Sequence, residues 1–334
     1  MQCQMQSNKL DSSHFLLSYS FDNQGKSRKI DQNDIAKNLM DEDLSWIHLD
    51  GNSEDSKLWL EDNVSYLDHL IIDALFAEET RPRIVEFEDG MLIILRAINL
   101  NKNEEIEDMV SLRMWVDQKR IVSIQRRRFL PVFNLAHKID QSITKIKSSS
   151  QLLYNIIYEI NSATAPSIIN LNDKLDLIED NLNSIANSDM RETVSLIRKQ
   201  VAVFKRYLIP QKEVILRLKN NEYKWIDDWA IRHFQENHDQ ITNVIEEIDE
   251  AKERAQIIHY EISNIIADKL NKIMFKISLT ASIFLPLSFV VGLFGMNVGG
   301  VPLENNNNGF FIVTYFAIMI VTIFYFLLKN KKLF

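Results

Sequence analysis

Apolar and polar positions along the chain change their period twice. Up to about residue 130 the apolar residues gather in short runs rich in β-branched and aromatic types. These are "FLLSYSF" (15–21), "SWIHLDG" (45–51), "GMLIILRAINL" (90–100), and the pair "MVSLRMWV" and "RIVSIQR", which the hairpin-length turn "DQK" separates. They predict strands. Between them "SEDSKLWLEDN" and "LDHLIIDALFAEE" have helical spacing, the first opening on Ser53 with Glu54 and Asp55 in its first turn. The expectation for residues 1–130 is an α+β domain, a small mixed sheet with helices packed on it. Beyond 130 the strand signal stops and residues 131–240 become helical in period, with Pro166 and Pro210 as expected points of kinking or interruption.

A third helical pattern starts near Ile241. Its apolar residues Ile241, Val244, Ile248, Ala251, Ala255, Ile258, Ile262 and Ile265 step by threes and fours, a heptad-like seam, and acids crowd its first half at Glu246, Glu247, Asp249, Glu250 and Glu253. No Gly or Pro falls between Ile241 and Leu285. The pattern therefore predicts a stalk helix over 241–276 that runs on into the next segment; from Ile241 to Phe294 it would extend about 80 Å at the rise of an α-helix. The seam is the expected contact between copies of the chain, and the acids are expected to serve solvation and pairing between subunits.

Two segments near the end carry no charge: 277–294, "ISLTASIFLPLSFVVGLF", and 310–328, "FFIVTYFAIMIVTIFYFLL". Each is long enough to cross, or nearly cross, a hydrocarbon layer of about 30 Å. The alternative is a pair of buried core helices. Lys269, Lys272 and Lys276 precede the first segment and Lys329, Lys331 and Lys332 follow the second, whereas the loop 295–309 has no Lys or Arg. That asymmetry predicts both termini, including the basic tail 329–334, on the cytoplasmic side and the loop outside.

Composition narrows the function. The formal charge of -8 argues against nucleic acid as a partner, because phosphate binding rests on clustered Lys and Arg. One cysteine, Cys3, allows no disulfide within the chain and fits a reducing compartment. Residues 1–30 have no long apolar core behind a basic start, so no signal peptide is expected. We find no phosphate-cradling glycine loop, no nucleophile elbow and no metal-hydrolase helix motif, so an enzyme is not expected and no cofactor is implied. One Cys and seven scattered His make no tight zinc cage. His233 and His238, near Glu236 and Asp239, form a candidate cytosolic metal site, against which stands a solvated polar face.

Two spanning helices are too few to enclose a channel, so passage across a bilayer would need several copies around one axis. The first span has the better face for this: Met274, Ile277, Ala281, Leu285, Ser288 and Gly292 recur at three- and four-residue spacing. Packing through the small residues Ala281, Ser288 and Gly292 is the competing explanation. The second span is aromatic and aliphatic throughout, as suits an outer, lipid-facing helix. Asn297 lies just past the first span, so each copy would add one amide to a ring that can hold the water shell of a divalent ion without trapping it. Glu304 would draw cations toward that mouth.

The "GMN" at Gly295, Met296 and Asn297, set between two terminal spans behind "NKIMFKISLTASIFLPLSFVVGLF", resembles the CorA family of divalent-cation transporters, and "LDHLIIDALFAEETRPRIVEFEDGMLIILRAI" is similar to that family's cytosolic α/β segment. The resemblance implies a homopentameric funnel in the bacterial inner (plasma) membrane, with the first span lining the pore and the second outside. It implies that Asn297 forms the selectivity ring, that Gly295 and Met296 shape it, and that Met274 with Asn271 forms the cytosolic gate. Ile277, Ala281, Leu285, Ser288 and Gly292 match the family's pore-lining positions. After the tripeptide, "NVGGVP" resembles the zinc-transporting ZntB-like branch, which implies Zn2+ uptake into the cytosol; the alternative is transport of Mg2+, Co2+ or Ni2+. The "ENNNN" run departs from the family pattern. A different class of function, a membrane-tethered coiled-coil adaptor, accounts for the stalk and spans and leaves the basic-free, glycine-rich loop unexplained.

Overall fold

The computed structural model describes residues 14–41, 43–78, 81–185, 188–296, 298–303 and 306–330. They fall into two compact units, residues 1–259 and 260–334.

In the first unit seven strands form one mixed sheet in the order β2-β1-β3-β7-β6-β5-β4. β1 is Phe15–Phe21, β2 Ser27–Lys29, β3 Leu44–Asp50, β4 Arg83–Glu86, β5 Gly90–Ala97, β6 Val110–Asp117 and β7 Arg120–Gln125. Every neighbouring pair is antiparallel except β3 and β7, which run parallel in register from Ser45 opposite Arg120 to Asp50 opposite Gln125. The five expected strands are present. β2 and β4 were not expected: "SRK" and "RIVE" are short, charged and lie at the two edges, where a strand needs no apolar face to be held.

Helices cover both faces, which is why β3 and β7 are buried almost throughout. On one face Ile47 and Leu49 of β3 and Val122 and Ile124 of β7 pack against helices α1 (Ile35–Met40), α2 (Glu54–Asn63) and α3 (His69–Phe76), through Ile35, Leu39, Leu60, Ile71, Ile72 and Leu75. Asp68 starts α3 by accepting the Leu70 amide at 2.8 Å. Ser53 sits at the N-cap of α2 without a side-chain cap bond, and Ser56 Oγ instead donates to Asp50 O at 2.6 Å. The opposite face carries Trp46 and His48, with Tyr19 stacked on Trp46 (ring centroids 5.9 Å) and Phe133 of α4 (Leu130–Asp140) edge-on to His48 at 6.0 Å.

Two long helices follow, α5 (Ser149–Ile185) and α6 (Ser188–Lys219), and both continue through their prolines, Pro166 and Pro210. Each proline removes one amide donor. Buried neighbours on either side, Ile160 and Ile168 in α5, Leu208 and Val214 in α6, hold the adjoining turns against the domain and offset that loss.

α7 spans Asp228–Phe294 as one helix. It begins before the expected Ile241 because Asp227 Oδ1 accepts the Ala230 amide at 2.8 Å, a cap that starts the helix upstream of the seam. The seam residues Ile241, Ile248, Ala251, Ala255 and Ile258 are buried within the single chain. They are core, not the expected contact between copies. Polar bridges fix the same segment: Lys205 pairs with Asp249, and Arg254 pairs with Asp176 and, at 2.7 Å, with Glu179.

Candidate ion-conduction site

The second unit consists of the end of α7, a loop and α8 (Gly309–Asn330). Residues 267–278 are all exposed in the single chain. Among the described residues α7 is long and apolar enough to cross a membrane, and none of its apolar window is buried; the described apolar stretch of α8, Gly309–Ile323, is shorter. Phe284, Leu285, Phe289, Phe310, Phe311 and Tyr315 all face outward. Leaving such side chains in water costs about 1.5–3 kcal/mol each, so this unit requires an apolar surrounding.

The helices are built for that surrounding. Thr280 Oγ1 donates to Lys276 O at 2.9 Å and Ser282 Oγ to Ser278 O at 2.8 Å, while in α8 Thr314 and Thr322 donate to Phe310 O and Ile318 O at 2.8 Å. Each of these four hydroxyls is satisfied by its own helix, so none of the four turns an unpaired donor outward. Pro286 lies inside α7 and takes away the amide that would bond Ser282 O.

All the candidate pore-lining residues lie on α7. Met274, Ile277 and Leu285 are 65%, 64% and 72% exposed, and Asn271, Ala281, Ser288 and Gly292 are exposed too. A methyl group placed on Gly292 would meet nothing within 4 Å. The face is uncovered along its length, with Leu270, Ile273 and Phe275 adding apolar surface just before the span. Lysines flank and interrupt these three, so no apolar run marks them in the sequence.

α7 ends at Phe294, and Gly295 still donates to Val291 O at 2.9 Å. Met296 follows, half exposed. Asn297 and Glu304, the expected selectivity and attracting residues, lie outside the described residues. Gly300 adopts φ +97°, a conformation that side chains resist. Part of the asparagine run has a local role: Asn306 Oδ1 accepts the Asn308 amide at 2.9 Å, Asn306 O accepts the Gly309 amide at 2.9 Å, and Asn308 O accepts the Ile312 amide at 3.1 Å, a turn that launches α8. Between the ends of the two helices lies a largely apolar cleft of about 980 Å³, which Val291, Gly295, Met296, Pro302, Phe310 and Val313 help to line.

Of the four residues of the candidate cytosolic metal site, only His238 and Asp239 meet each other. His233 Nδ1 lies 2.7 Å from Trp229 O, and its ring stacks on Trp229 at 3.7 Å and meets Tyr154 edge-on. His238 Nδ1 is 3.6 Å from Asp239 Oδ1, and Asp239 accepts from Gln235 Nε2 at 2.6 Å, which with His238 holds its carboxyl below the usual range. Glu236 is exposed and raises the Tyr154 pKa by its charge, after the burial of Tyr154 itself. Among the described residues no group of three or more His, Cys, Asp or Glu side chains is placed to hold a metal ion.

The first unit is a mixed sheet covered by helices on both faces, and the second holds two apolar helix segments, one of them long and apolar enough to cross a membrane. The family described as "CorA-like Mg2+ transporter protein" matches residues 41–332, and the chain belongs to that family. It is 32% identical over 293 residues to the zinc transport protein ZntB of Yersinia enterocolitica, covering 88% of each chain. It is 29% identical over 296 residues to the divalent cation transporter CmaX of Pseudomonas aeruginosa, covering 87% of this chain and 88% of that one. The solved structure of full-length CmaX superposes with a TM-score of 0.81 at 26% identity, covering 96% of this chain and 99% of the other.

Proposed function

We propose that the protein is a transporter of divalent cations, working as a homopentamer in the bacterial inner membrane with both termini in the cytoplasm, and that its cargo is Zn2+ taken up into the cytosol. The observation that carries this is the uncovered, uncharged end of α7 leading directly into Gly295, Met296 and Asn297. Five copies of that face would line one axis, with Asn271 and Met274 at the inner end, Ile277, Ala281, Leu285, Ser288 and Gly292 along the wall, and α8 outside. An apolar wall of this kind closes by dewetting and passes the ion with its waters, and a ring of Asn297 amides selects the hydrated ion through weak, multiple contacts. Glu304 raises the local cation concentration. The cation is substrate; the chain acts as no enzyme and needs no cofactor. Exposed Leu270, Ile273 and Met274, rather than the buried seam, supply the apolar surface on which copies meet.

The zinc assignment is favoured by the likeness to ZntB of Yersinia enterocolitica, and Mg2+ is favoured by the family description. Purified protein in liposomes, offered Zn2+, Mg2+, Co2+ and Ni2+ in competition, distinguishes them. Zn2+ should dominate the flux, and Asn297→Ala should abolish it. Flux without metal dependence, or flux untouched by Asn297→Ala, refutes the transporter reading; dominant Mg2+ flux moves the cargo.

A further inference from the structure

The first unit holds a second polar site. A cavity of about 460 Å³ lies where the end of α3, the ends of β5 and β6, the bend after β7 and helix α6 converge. Among the described residues that line it, Arg96, Arg113, Arg126, Arg127, Lys199 and Arg206 face three carboxylates, those of Glu78, Glu107 and Asp108.

Arg113 is the centre of this site. It stands mid-strand on β6, opposite Ile94 of β5 and Ile124 of β7, and is 0% exposed. Its Nη2 donates to Glu78 O at 2.9 Å, but among the described residues its Nε and Nη1 have no partner. Arg126 repeats the pattern: Nη2 donates to Phe76 O at 2.7 Å, and its buried Nε has no partner there either. The described carboxylates nearby do not answer these donors. Glu107 is held by Lys199 and Gln200, both at 3.1 Å, and Glu78 is an exposed side chain 3.7 Å from Arg126 Nη1. Arg96 is anchored by its Nη1 bond to Met109 O at 2.8 Å and lies over the Tyr207 ring at 4.4 Å.

A buried guanidinium without a counter-charge is expensive, and one with vacant donors is more so. Burial, with the charges of Arg126 and Arg96, pushes the Arg113 pKa down to about 10, which still leaves it charged at neutral pH. An anion seated beside Arg113 and Arg126 offsets that cost. The vacant N–H donors of the two guanidinia can each give a charge-assisted hydrogen bond to an oxyanion.

We propose that this cavity binds a phosphate group, seated beside the guanidinia of Arg113 and Arg126, with Arg206 at its exposed rim. The space exceeds that of a bare phosphate and admits a phosphorylated small molecule. No metal is involved, and the site is independent of cation passage.

The test is calorimetric titration of the full-length protein in detergent, free of divalent metal and at constant ionic strength set with chloride, using inorganic phosphate and, separately, a nucleoside triphosphate. Saturable binding of phosphate alone identifies the free oxyanion as sufficient; tighter binding of the nucleotide identifies a phosphorylated small molecule. Arg113→Met should weaken binding at least tenfold, as should charge reversal by Arg206→Glu, which lies on the surface and keeps the test valid if the buried variant misfolds. Absence of saturable binding by either anion, or undiminished affinity in Arg206→Glu, overturns the proposal.

Discussion

His48 Nδ1 lies 2.9 Å from Ser123 Oγ across the parallel pair β3–β7. Ser123 gives its own proton to Ile47 O at 3.0 Å and accepts Trp46 Nε1 at 2.9 Å, so the imidazole must donate from Nδ1. Nε2 is buried with no partner among the described residues, and burial lowers the His48 pKa from 6.5 to about 4. The unfolded chain therefore binds the extra proton first as pH falls. Stability should be fully retained above pH 6.5, decline by about 3 kcal/mol between 6.5 and 4, and level off below. Unfolding midpoints across that range for wild type and His48→Gln check this; an equal decline in the variant would assign it to other groups.

Gly90 opens β5 against β6 with no room for a side chain. A Cβ there would lie 2.7 Å from both Trp115 Cζ2 and Val116 O, and Gly90 O also accepts Tyr223 Oη at 2.8 Å. Gly90→Ala should cost about 1–3 kcal/mol, since the backbone carbonyl has no room to retreat. An unchanged denaturation midpoint contradicts it.

Arg254 joins the stalk to α5 through Asp176 and Glu179, which raise its pKa further. The carboxylates are substantially exposed, so Arg254→Ala should destabilise by only about 1 kcal/mol. Screening gives the check: in 1 M salt most of the difference from wild type should vanish. A difference that persists would mean lost packing.

Gly292 separates folding from conduction. Since an added methyl meets nothing within the chain, Gly292→Val should leave the yield and thermal stability of the solubilised protein unchanged. If five copies bring this face to one axis, the bulkier side chain should cut cation flux severalfold in liposomes. Wild-type flux would place Gly292 away from the conducting path.

The strands were legible where two or more apolar layers had to be satisfied, as in "GMLIILRA" and "MVSLRMWV". They were illegible in β2 and β4, whose residues Arg28, Lys29, Arg83 and Glu86 are exposed and leave no alternation to read. The seam from Ile241 to Ile258 was seen correctly as a buried face but assigned to the wrong partner, because period does not say whether the covering helix belongs to the same chain. Arg113 gave no signal at all: arginine is normally an exposed residue, so its place mid-strand reads as solvent-facing. The uncovered face of α7 was legible from the spacing of Met274, Ile277, Ala281 and Leu285. The turn made by Asn306 and Asn308 depends on side chain to backbone bonds that a run of identical residues does not announce.

The single parallel pairing has a consequence for how the chain is made. His48 and Ser123, partners in the centre of the sheet, are 75 positions apart. A nascent chain emerging from the ribosome would present β1, β2 and β3 with the apolar margin of β3 open until β7 arrives to close it. Pairing across so long a stretch is slow compared with a hairpin. The interval in which Trp46, Ile47 and Leu49 stand uncovered is the moment at which this protein is most exposed to aggregation or to capture by a chaperone.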